Sequence, residues 1–242
     1  MPTILISGAA EGGLGAAFVE AYRTSADVSL VAVDKRPIQA KHENVQTFEV
    51  DITSEPSIQN LVRVLKRRPI DLVIHSAGIR GLVPHMQDKH PNNVPACETV
   101  EVMDMATLMQ AFQINAVGTF MLLRALLPNL KNAKEPKVVV MSSRMGSIGN
   151  NQLPNKDAGS AYAYRASKAA MNAIVRSFAV DEPDVSFILC HPGRVETNLV
   201  RCKEDGAITT EESVSNVTHI IEEWNKSDSG KFYDRFGVVI EF

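Results

Sequence analysis

Tyr164 and Lys168 are the residues whose types and spacing could most directly carry chemistry in this chain. Residues four positions apart share one face of a helix, so the lysine ammonium would lie beside the phenol. A nearby cation favours the phenolate and lowers the pKa of a tyrosine, which can then exchange a proton near neutral pH. Tyr162 is the competing phenol, but Ala166 stands four residues beyond it. The spacing therefore selects Tyr164 as the candidate acid or base.

A glycine-rich segment over residues 8–15 could bind a dinucleotide. It lies between an apolar run at residues 3–7 and a segment of helical period at residues 14–22. Glycines there permit a tight turn and a close approach of backbone to pyrophosphate, and the helix N-terminus offers N–H groups to the phosphates. A plain turn between strand and helix is the alternative, but the strand–turn–helix context favours a cofactor site. Its predicted residues are Gly8, Gly12, Gly13, Leu14 and Gly15.

Asp34 bears on which dinucleotide would bind. It ends the second apolar run, at residues 28–33, about 20 residues beyond the glycine turn. A carboxylate at that place accepts a hydrogen bond from the adenosine ribose and repels a 2′-phosphate, so Asp34 favours NAD. Lys35 and Arg36 follow it and could instead bind the phosphate of NADP, although a solvated loop also explains them.

Asp51 follows the third apolar run, at residues 45–50. An acid at this place could hold the adenine amino group. It could equally cap the helix that is predicted to begin near Thr53. The residues alone leave both interpretations open.

Strand-like and helical segments alternate along the whole chain. This alternation predicts a single α/β domain over residues 1–242, with a doubly wound, mostly parallel, seven-stranded sheet and helices on both faces. The predicted strands are 3–7, 28–33, 45–50, 70–75, 137–141, 185–190 and 238–242. The predicted helices are 14–22, 54–67, 104–127, 160–180 and 210–224. Pro128 is expected to stop the third helix, and residues 80–97 are expected to form a loop.

Composition and charge exclude several classes of protein. The formal net charge is −3, which favours neither nucleic acid nor an anionic membrane as a partner. We expect no transmembrane helix, because no apolar run reaches about 18 residues, and no signal peptide, because no charged leader precedes the first strand. The three cysteines, Cys97, Cys190 and Cys202, have no zinc-binding spacing. We therefore expect no metal site, reduced thiols and a cytoplasmic location.

These motifs together resemble the short-chain dehydrogenase/reductase family of the compact type, over essentially all 242 residues. The segments 142–148, 162–172 and 232–237 resemble its C-factor and sniffer-type carbonyl reductase branch. The motifs that carry the likeness are the glycine turn at 8–15, Asp51, the Ala77-Gly78 turn, Asn115, Ser143, Tyr164, Lys168 and Pro192-Gly193 with Thr197.

The resemblance implies a role for each of four catalytic residues. Tyr164 would give a proton to a carbonyl or take one from an alcohol. Lys168 would lower the pKa of that tyrosine and hold the nicotinamide ribose. Ser143 would hydrogen-bond the substrate oxygen, with Ser142 as its competitor, and Asn115 would anchor a water relay toward Lys168. Without the other motifs, Asn115 would be read as a helix cap or kink.

The resemblance also implies the rest of the cofactor site. Thr197 and the backbone of Val195 would hold the nicotinamide carboxamide, although Thr197 could be only a helix cap. Residues 198–209 lie where the family carries a substrate lid. The further cofactor-binding residues are Asp51, Ile52, Ser76, Ala77, Gly78, Tyr164, Lys168, Pro192 and Gly193.

Three features depart from the family pattern. The glycine turn carries one residue more than the commonest spacing, so Gly12 and Gly13 compete for one role. His75-Ser76 replaces two asparagines, which would weaken a hydrogen bond that stabilises the sheet. The loop between Ser143 and Tyr164 is long, and its residues 150–159 are expected to fold out over the site.

The implied function is an NAD(P)-dependent oxidoreductase that interconverts a ketone or aldehyde with an alcohol by hydride transfer. The substrate would be a small molecule. Helices 104–127 and 160–180 would pair copies of the chain into a homo-oligomer, a dimer or tetramer. The alternatives are a cofactor-binding signalling protein with little turnover, and a lyase or cyclase that uses the fold without net redox.

Overall fold

Seven strands build the sheet that carries the site. The computed structural model describes residues 1–25, 27–39, 42–155 and 159–242. Within these ranges the strands are all parallel, in the order β3-β2-β1-β4-β5-β6-β7. They are β1 (Thr3–Ser7), β2 (Ser29–Asp34), β3 (Val45–Glu49), β4 (Leu72–His75), β5 (Lys137–Met141), β6 (Ser186–His191) and β7 (Phe232–Asp234). The strand order turns back between β1 and β4, which leaves a crevice at their carboxyl ends.

Helices cover both faces of the sheet. They are α1 (Leu14–Arg23), α2 (Glu55–Leu65), α3 (Pro84–Lys89), α4 (Met105–Phe112), α5 (Thr119–Leu130), α6 (Tyr162–Asp181) and α7 (Thr210–Glu223). Successive side chains of a strand point to opposite faces. In β1, Leu5 packs in the apolar layer of α2, α5 and α6, whereas Ile4 and Ile6 pack in the layer of α1 and α7. The predicted doubly wound α/β fold is confirmed.

The seventh strand lies elsewhere than the sequence predicts. It is β7, which pairs with β6, whereas residues 238–242 belong to no strand. The chain reverses at Gly237, whose φ is +79°. The backbone nitrogen of Ile240 then donates to the carbonyl oxygen of Phe232 at 2.7 Å. The prediction of a strand at 238–242 is wrong because this apolar tail folds back on the edge strand.

The segment predicted as a loop at 80–97 contains helical turns. Helix α3 begins at Pro84, where the missing N–H of proline costs no hydrogen bond. A short 3₁₀ turn, Pro95–Cys97, follows it. The loop prediction is therefore wrong over these turns. The buried apolar residues of the segment are Leu82, Val83, Val94 and Cys97.

The long helix does not stop at Pro128. It continues to Leu130, and a π-helical segment, Gln113–Gly118, lies between α4 and α5. Proline removes one backbone hydrogen bond from a helix. The final turn persists because the side-chain amide of Asn129 donates to two carbonyl oxygens beyond α2, at 3.1 and 2.7 Å. A tertiary contact thus outweighs the local signal.

One helix in the described part of the chain, Met105–Leu130, is long and apolar enough to cross a membrane by length and composition alone. The sequence predicts none. Of the most apolar stretch of this helix, 44% is buried inside the fold. Packing against the sheet accounts for the buried part of this apolar stretch. The buried leucines are Leu122, Leu123, Leu126 and Leu130.

Candidate active site

A groove of about 410 Å³ opens at the carboxyl ends of the strands, where the strand order turns back. Open parallel sheets bind ligands at this place. Most of the predicted site residues line it. They are Gly8, Gly13, Leu14, Asp34, Asp51, Ile52, Ser76, Ala77, Gly78, Ser143, Tyr164, Lys168, Pro192, Gly193, Val195 and Thr197. Three predicted residues do not line the groove but contact residues that do. They are Gly12, Gly15 and Asn115.

The glycine turn needs its glycines for close packing. Gly8 has a φ of +72°, and a Cβ there would lie 2.8 Å from the backbone that follows β4. A Cβ on Gly15 would collide with the carbonyl oxygen of Gly8. Gly12, with a φ of +82°, faces Asn198, whereas Gly13 lines the groove. The two competing glycines therefore have separate places: Gly12 forms the turn and Gly13 faces the groove.

Asp34 fastens the glycine turn to the end of β2. Its Oδ2 accepts a hydrogen bond from the backbone nitrogen of Ala10 at 3.0 Å. Its Oδ1 accepts from the backbone nitrogen of Arg36 at 2.8 Å. The side chain is only 12% exposed, yet it lines the groove. The carboxylate is thus held in a fixed orientation at the place where the sequence predicts an adenosine ribose.

Asp51 is not the cap of the following helix. The N-cap of α2 is Ser54, whose hydroxyl accepts from the backbone nitrogen of Ser57. Asp51 Oδ1 instead accepts from the backbone nitrogen and the hydroxyl of Thr53, at 2.9 and 2.6 Å. Its Oδ2 lies 3.0 Å from Lys35 Nζ. The hydroxyl of Thr53 and the charge of Lys35 lower the pKa of this carboxyl. Lys35 is therefore paired with Asp51 at the rim of the groove.

Ser143, rather than Ser142, acts on the phenol. The hydroxyl of Ser143 lowers the pKa of Tyr164, and it accepts a hydrogen bond from the backbone nitrogen of Met145 at 3.2 Å. The hydroxyl of Ser142 is buried and donates to Asn172 Oδ1 at 2.5 Å, further along α6 than Tyr164. The geometry thus separates the two competing serines.

Lys168 lies beside Tyr164, as the helical spacing predicts. Its Nζ is 5.8 Å from the centroid of the tyrosine ring, and it donates to the carbonyl oxygen of Met141 at 2.7 Å. Burial lowers the pKa of Lys168 to about 8. Burial also raises the pKa of Tyr164, and the groups that counteract this are the Arg80 guanidinium and the Ser143 hydroxyl. Here the cation that acts on the phenol is Arg80, which the sequence analysis did not single out.

Asn115 sits in the π-helical segment and joins three parts of the site. Its Oδ1 accepts from the backbone nitrogen of Ile79 at 2.8 Å, and its Nδ2 donates to the carbonyl oxygen of Ile79 and to Ser167 Oγ, both at 2.9 Å. Its own carbonyl oxygen accepts from Thr119 Oγ1 at 2.6 Å. Asn115 therefore fixes the segment after β4 against α6. The water relay remains a prediction.

His75 supplies a side-chain link where the sequence analysis expects a weakened one. Its Nδ1 lies 2.7 Å from Ser7 Oγ, and its Nε2 lies 2.8 Å from Thr119 Oγ1. The buried imidazole thus connects β1, β4 and α5. Burial and the charge of Lys168 lower the pKa of His75 to about 3, so the ring is neutral. The expected loss of a sheet-stabilising bond is compensated by this residue.

The predicted lid at 198–209 is attached at both sides of the groove. The backbone nitrogen of Asn198 donates to the carbonyl oxygen of Gly12 at 2.8 Å. Arg201 donates to Asp88 of α3 at 2.8 Å. Thr197 begins no helix, and its Oγ1 accepts a hydrogen bond from the backbone nitrogen of Leu199 at 3.3 Å. Thr197 is therefore not a helix cap. The loop at 150–159 is predicted to fold out over the site, and its residues 156–158 lie outside the described residues.

Two contacts of the site carry no local sequence signal. Arg80 meets Tyr164 across 84 positions, and Asn198 meets the glycine turn across 186 positions from Gly12. Nothing in the residues next to either one marks it as part of a site.

The fold and the groove define an α/β protein of the dinucleotide-binding class, with a serine, a tyrosine and a lysine gathered at one end of the crevice. The family model for short chain dehydrogenases matches residues 2–207. The chain belongs to the short-chain dehydrogenase family, and it is an oxidoreductase of that family.

Named relatives agree with this assignment. The C-signal protein of Myxococcus xanthus is 33% identical over 174 residues, which cover 71% of this chain and 92% of that protein. The 1-hydroxy-2-glutathionyl-2-methyl-3-butene dehydrogenase of Rhodococcus sp. is 28% identical over 249 residues, and both chains are covered completely. The structure of NADPH-bound carbonyl reductase from chicken fatty liver has a TM-score of 0.82 at 24% identity, covering 100% of this chain and 99% of that one. The predicted family and its carbonyl reductase-like relatives are confirmed.

Proposed function

We propose that this protein is an NAD(P)-dependent oxidoreductase that interconverts a small ketone or aldehyde with the corresponding alcohol. The observation that carries the proposal is that Ser143, Tyr164 and Lys168 line one groove, with Lys168 Nζ 5.8 Å from the centroid of the Tyr164 ring. The carbonyl and 1-hydroxy substrates named for two relatives support the same class of reaction.

The groove fits a nicotinamide dinucleotide. The N-terminus of α1 has no side-chain cap, because Gly13 stands at its N-cap, so its N–H groups are available to phosphate. Gly13 and Leu14 line the groove at this end, and Tyr164 and Lys168 line it at the other. When bound, the cofactor supplies or accepts the hydride.

The proton chemistry belongs to the side chains. In reduction, Tyr164 Oη gives its proton to the carbonyl oxygen as negative charge develops there, and Ser143 Oγ donates a hydrogen bond to the same oxygen. The ammonium of Lys168 stabilises the phenolate that remains. In oxidation the phenolate takes the proton of the alcohol. Burial of Tyr164 keeps water from competing for this proton.

For the cofactor we favour NAD through Asp34, with NADP as the alternative through Lys35 or Arg36. The carboxylate of Asp34 faces the groove and would repel a 2′-phosphate. Arg36 supports the alternative, because its guanidinium lies at the same rim, largely exposed, with its Nε 3.8 Å from Asp34 Oδ1. The NADPH bound to the chicken carbonyl reductase also supports it.

Tyr164→Phe tests the reaction. Removing the proton donor should lower kcat/KM for a panel of ketones and aldehydes by roughly 10²–10⁴-fold and leave cofactor binding nearly unchanged. The measurement is the change in nicotinamide absorbance with NADH and with NADPH. Tyr162→Phe is the matched control, because this half-exposed tyrosine lies two residues away and should retain full activity. Equal turnover in both variants would refute the assignment.

The similarity to the C-signal protein favours one second candidate, a cofactor-binding signalling protein. It predicts that the dinucleotide binds and that no carbonyl in the panel turns over. A lyase or cyclase would instead form product without any change in nicotinamide absorbance. The Tyr164→Phe experiment separates all three, since only the oxidoreductase loses a redox activity.

We also propose a cytoplasmic homo-oligomer. Cys97, Cys190 and Cys202 are free thiols, which supports a reducing compartment. Apolar side chains on the outer side of α4 and α5 support pairing of copies. The most exposed of them are Met105, Met109 and Phe112.

A further inference from the structure

Arg80 lies against the ring of Tyr164. Its Cζ is 4.8 Å from the ring centroid. Its Nε and Nη2 donate to the two carboxylate oxygens of Glu98, both at 2.8 Å, which forms a bidentate ion pair. The two side chains are only 12% and 6% exposed. Two opposite charges are therefore buried within contact of the predicted proton donor.

The backbone delivers Arg80 to this position through a narrow passage. Gly81 follows it with a φ of +72°, and a Cβ there would lie 2.9 Å from Ala111 Cβ of α4 and 3.0 Å from Ala163 Cβ of α6. A larger residue would separate the chain from the two helices. Gly81 therefore lets the chain after β4 pass between α4 and α6, beside Tyr164.

Glu98 holds the other end of the arrangement. Its carbonyl oxygen accepts from the backbone nitrogen of Ala161 at 3.0 Å and from Ser160 Oγ at 3.1 Å. Both of these residues have a positive φ, 50° for Ser160 and 51° for Ala161, immediately before α6 begins. Glu98 thus anchors the turn that presents Tyr164, while its carboxylate anchors Arg80.

Three charged groups act on the pKa of the phenol from the surrounding elements. Arg80 and Glu98 come from the segment between β4 and α4, and Glu204 comes from the lid. Lys168, on the same helix as Tyr164, has its Nζ 5.8 Å from the ring centroid. Arg80 favours the phenolate, and Glu98 and Glu204 oppose it. Arg80 contacts the ring directly and acts through a medium from which water is excluded, where charges interact strongly.

We propose that Arg80 and Glu98 form a positioning pair for the acid–base tyrosine, in which Glu98 holds the guanidinium against the ring and Arg80 stabilises the deprotonated phenol. The proposal rests on the proposed function for its catalytic meaning. The bidentate geometry and the packing at Gly81 fix the pair, so its charge reaches Tyr164 whether or not a dinucleotide is bound.

The first test is the pH dependence of kcat/KM for carbonyl reduction. Arg80→Gln should move the alkaline limb, where activity is lost as Tyr164 deprotonates, to higher pH by roughly one unit or more. Glu98→Gln should move it to lower pH, because Arg80 keeps its charge and loses its counter-charge. Shifts of opposite sign are the expected result, and a common loss of kcat with no shift would overturn the proposal.

A second readout needs no turnover. Protein labelled with carbon isotope at tyrosine Cζ reports the protonation of each phenol by NMR, and Tyr164→Phe assigns the signal. The titration midpoint of Tyr164 should rise in Arg80→Gln and fall in Glu98→Gln. Unmoved midpoints would overturn the proposal. Moved midpoints in a protein that reduces no carbonyl would refute the proposed function and leave the pair intact.

Arg80→Gln leaves Glu98 buried without a partner and could unfold the protein. The double variant Arg80→Gln with Glu98→Gln removes both charges, and its midpoint should still rise, because Arg80 acts on the phenol more strongly than Glu98 does. An unchanged midpoint there would also overturn the proposal. The matched control is Arg124→Gln, since Arg124 pairs with Glu55 at 3.3 Å on the exposed surface and should leave the midpoint unchanged.

Discussion

Asp34 shows how one side chain can serve both the fold and specificity. Its two oxygens accept backbone hydrogen bonds from the glycine turn and from the residue after Lys35, so the carboxylate keeps one orientation. That orientation leaves its negative charge at the rim of the groove. The charge, and not the hydrogen-bonding geometry, is what would discriminate against a phosphorylated ribose.

Asp34→Asn should therefore raise the affinity for NADPH relative to NADH by roughly tenfold, about 1.4 kcal/mol, because it removes the negative charge. The ratio of the two affinities is the quantity compared, because asparagine can accept only one of the two backbone hydrogen bonds. The measurement is fluorescence titration with both cofactors at a fixed ionic strength. Asp184→Asn is the control, since this exposed residue precedes β6, at the amino end of the strands and away from the groove. A ratio that stays at the wild-type value would show that Asp34 does not select the cofactor.

At the residue scale, spacing and composition predicted much of the candidate site. They predicted the neighbourhood of Tyr164 and Lys168 and the glycine turn, because a helical period and a strand–turn–helix context are local patterns. They left Ser142 against Ser143 and Gly12 against Gly13 open from the residues alone. Arg80 was not predicted, because Tyr164, whose ring it contacts, is 84 positions away in the sequence. Its ion pair with Glu98 is likewise visible only in the folded structure.

At the element scale, the neutral imidazole of His75 links β4 to β1 and α5 by hydrogen bonds. The unfolded chain can protonate this histidine below its ordinary pKa of 6.5, whereas in the folded protein burial lowers the pKa to about 3. Protons therefore bind preferentially to the unfolded state between these values. The contribution of His75 to the free energy of unfolding should fall by about 1.4 kcal/mol per pH unit as the pH drops through this window.

His75→Asn should remove most of that slope, since asparagine can hydrogen-bond and does not titrate. Urea unfolding at pH 7 and pH 5 would measure it, with about 2 kcal/mol more loss in the wild type than in the variant. His219→Asn is the control, because the imidazole of His219 is exposed on α7 and should leave the slope unchanged. Equal slopes in wild type and His75→Asn would contradict the prediction.

At the element scale, the sequence located buried strands well and irregular ends poorly. Residues 3–7 and 137–141 match β1 and β5 completely, because a strand buried on both faces is a continuous apolar run. Residues 238–242 are equally apolar, but Gly237 turns them back. Pro128 would end an isolated helix, but the amide of Asn129 holds its last turn.

For the whole molecule, the outer side of α4 is more apolar than a monomer requires. Met109 is 61% exposed, and Met105 and Phe112 lie four positions before it and three after it, on one face. Solvent-exposed methionine and phenylalanine on a helix are typical of association surfaces. The proposed homo-oligomer would bury them.

Met109→Glu should weaken self-association at least tenfold, because it would place a charge in the buried centre of the interface. Light scattering coupled to gel filtration over a range of concentrations would measure the mass. Val64→Glu is the matched control, since Val64 is also 61% exposed but lies on α2. A monomeric wild type, or equal masses for both variants, would count against pairing through α4.

The π-helical segment Gln113–Gly118 makes the spacing of this chain sensitive to length as well as to identity. A π segment accommodates a surplus residue in an α-helix, and each residue of an α-helix turns the chain by about 100°. Deleting one residue there would restore a regular ladder without turning the residues beyond it. Leu122 and Leu126 would keep their places in the core, whereas Asn115, inside the segment, would lose its register with Ile79. A one-residue gap in this segment would therefore damage the site and spare the core.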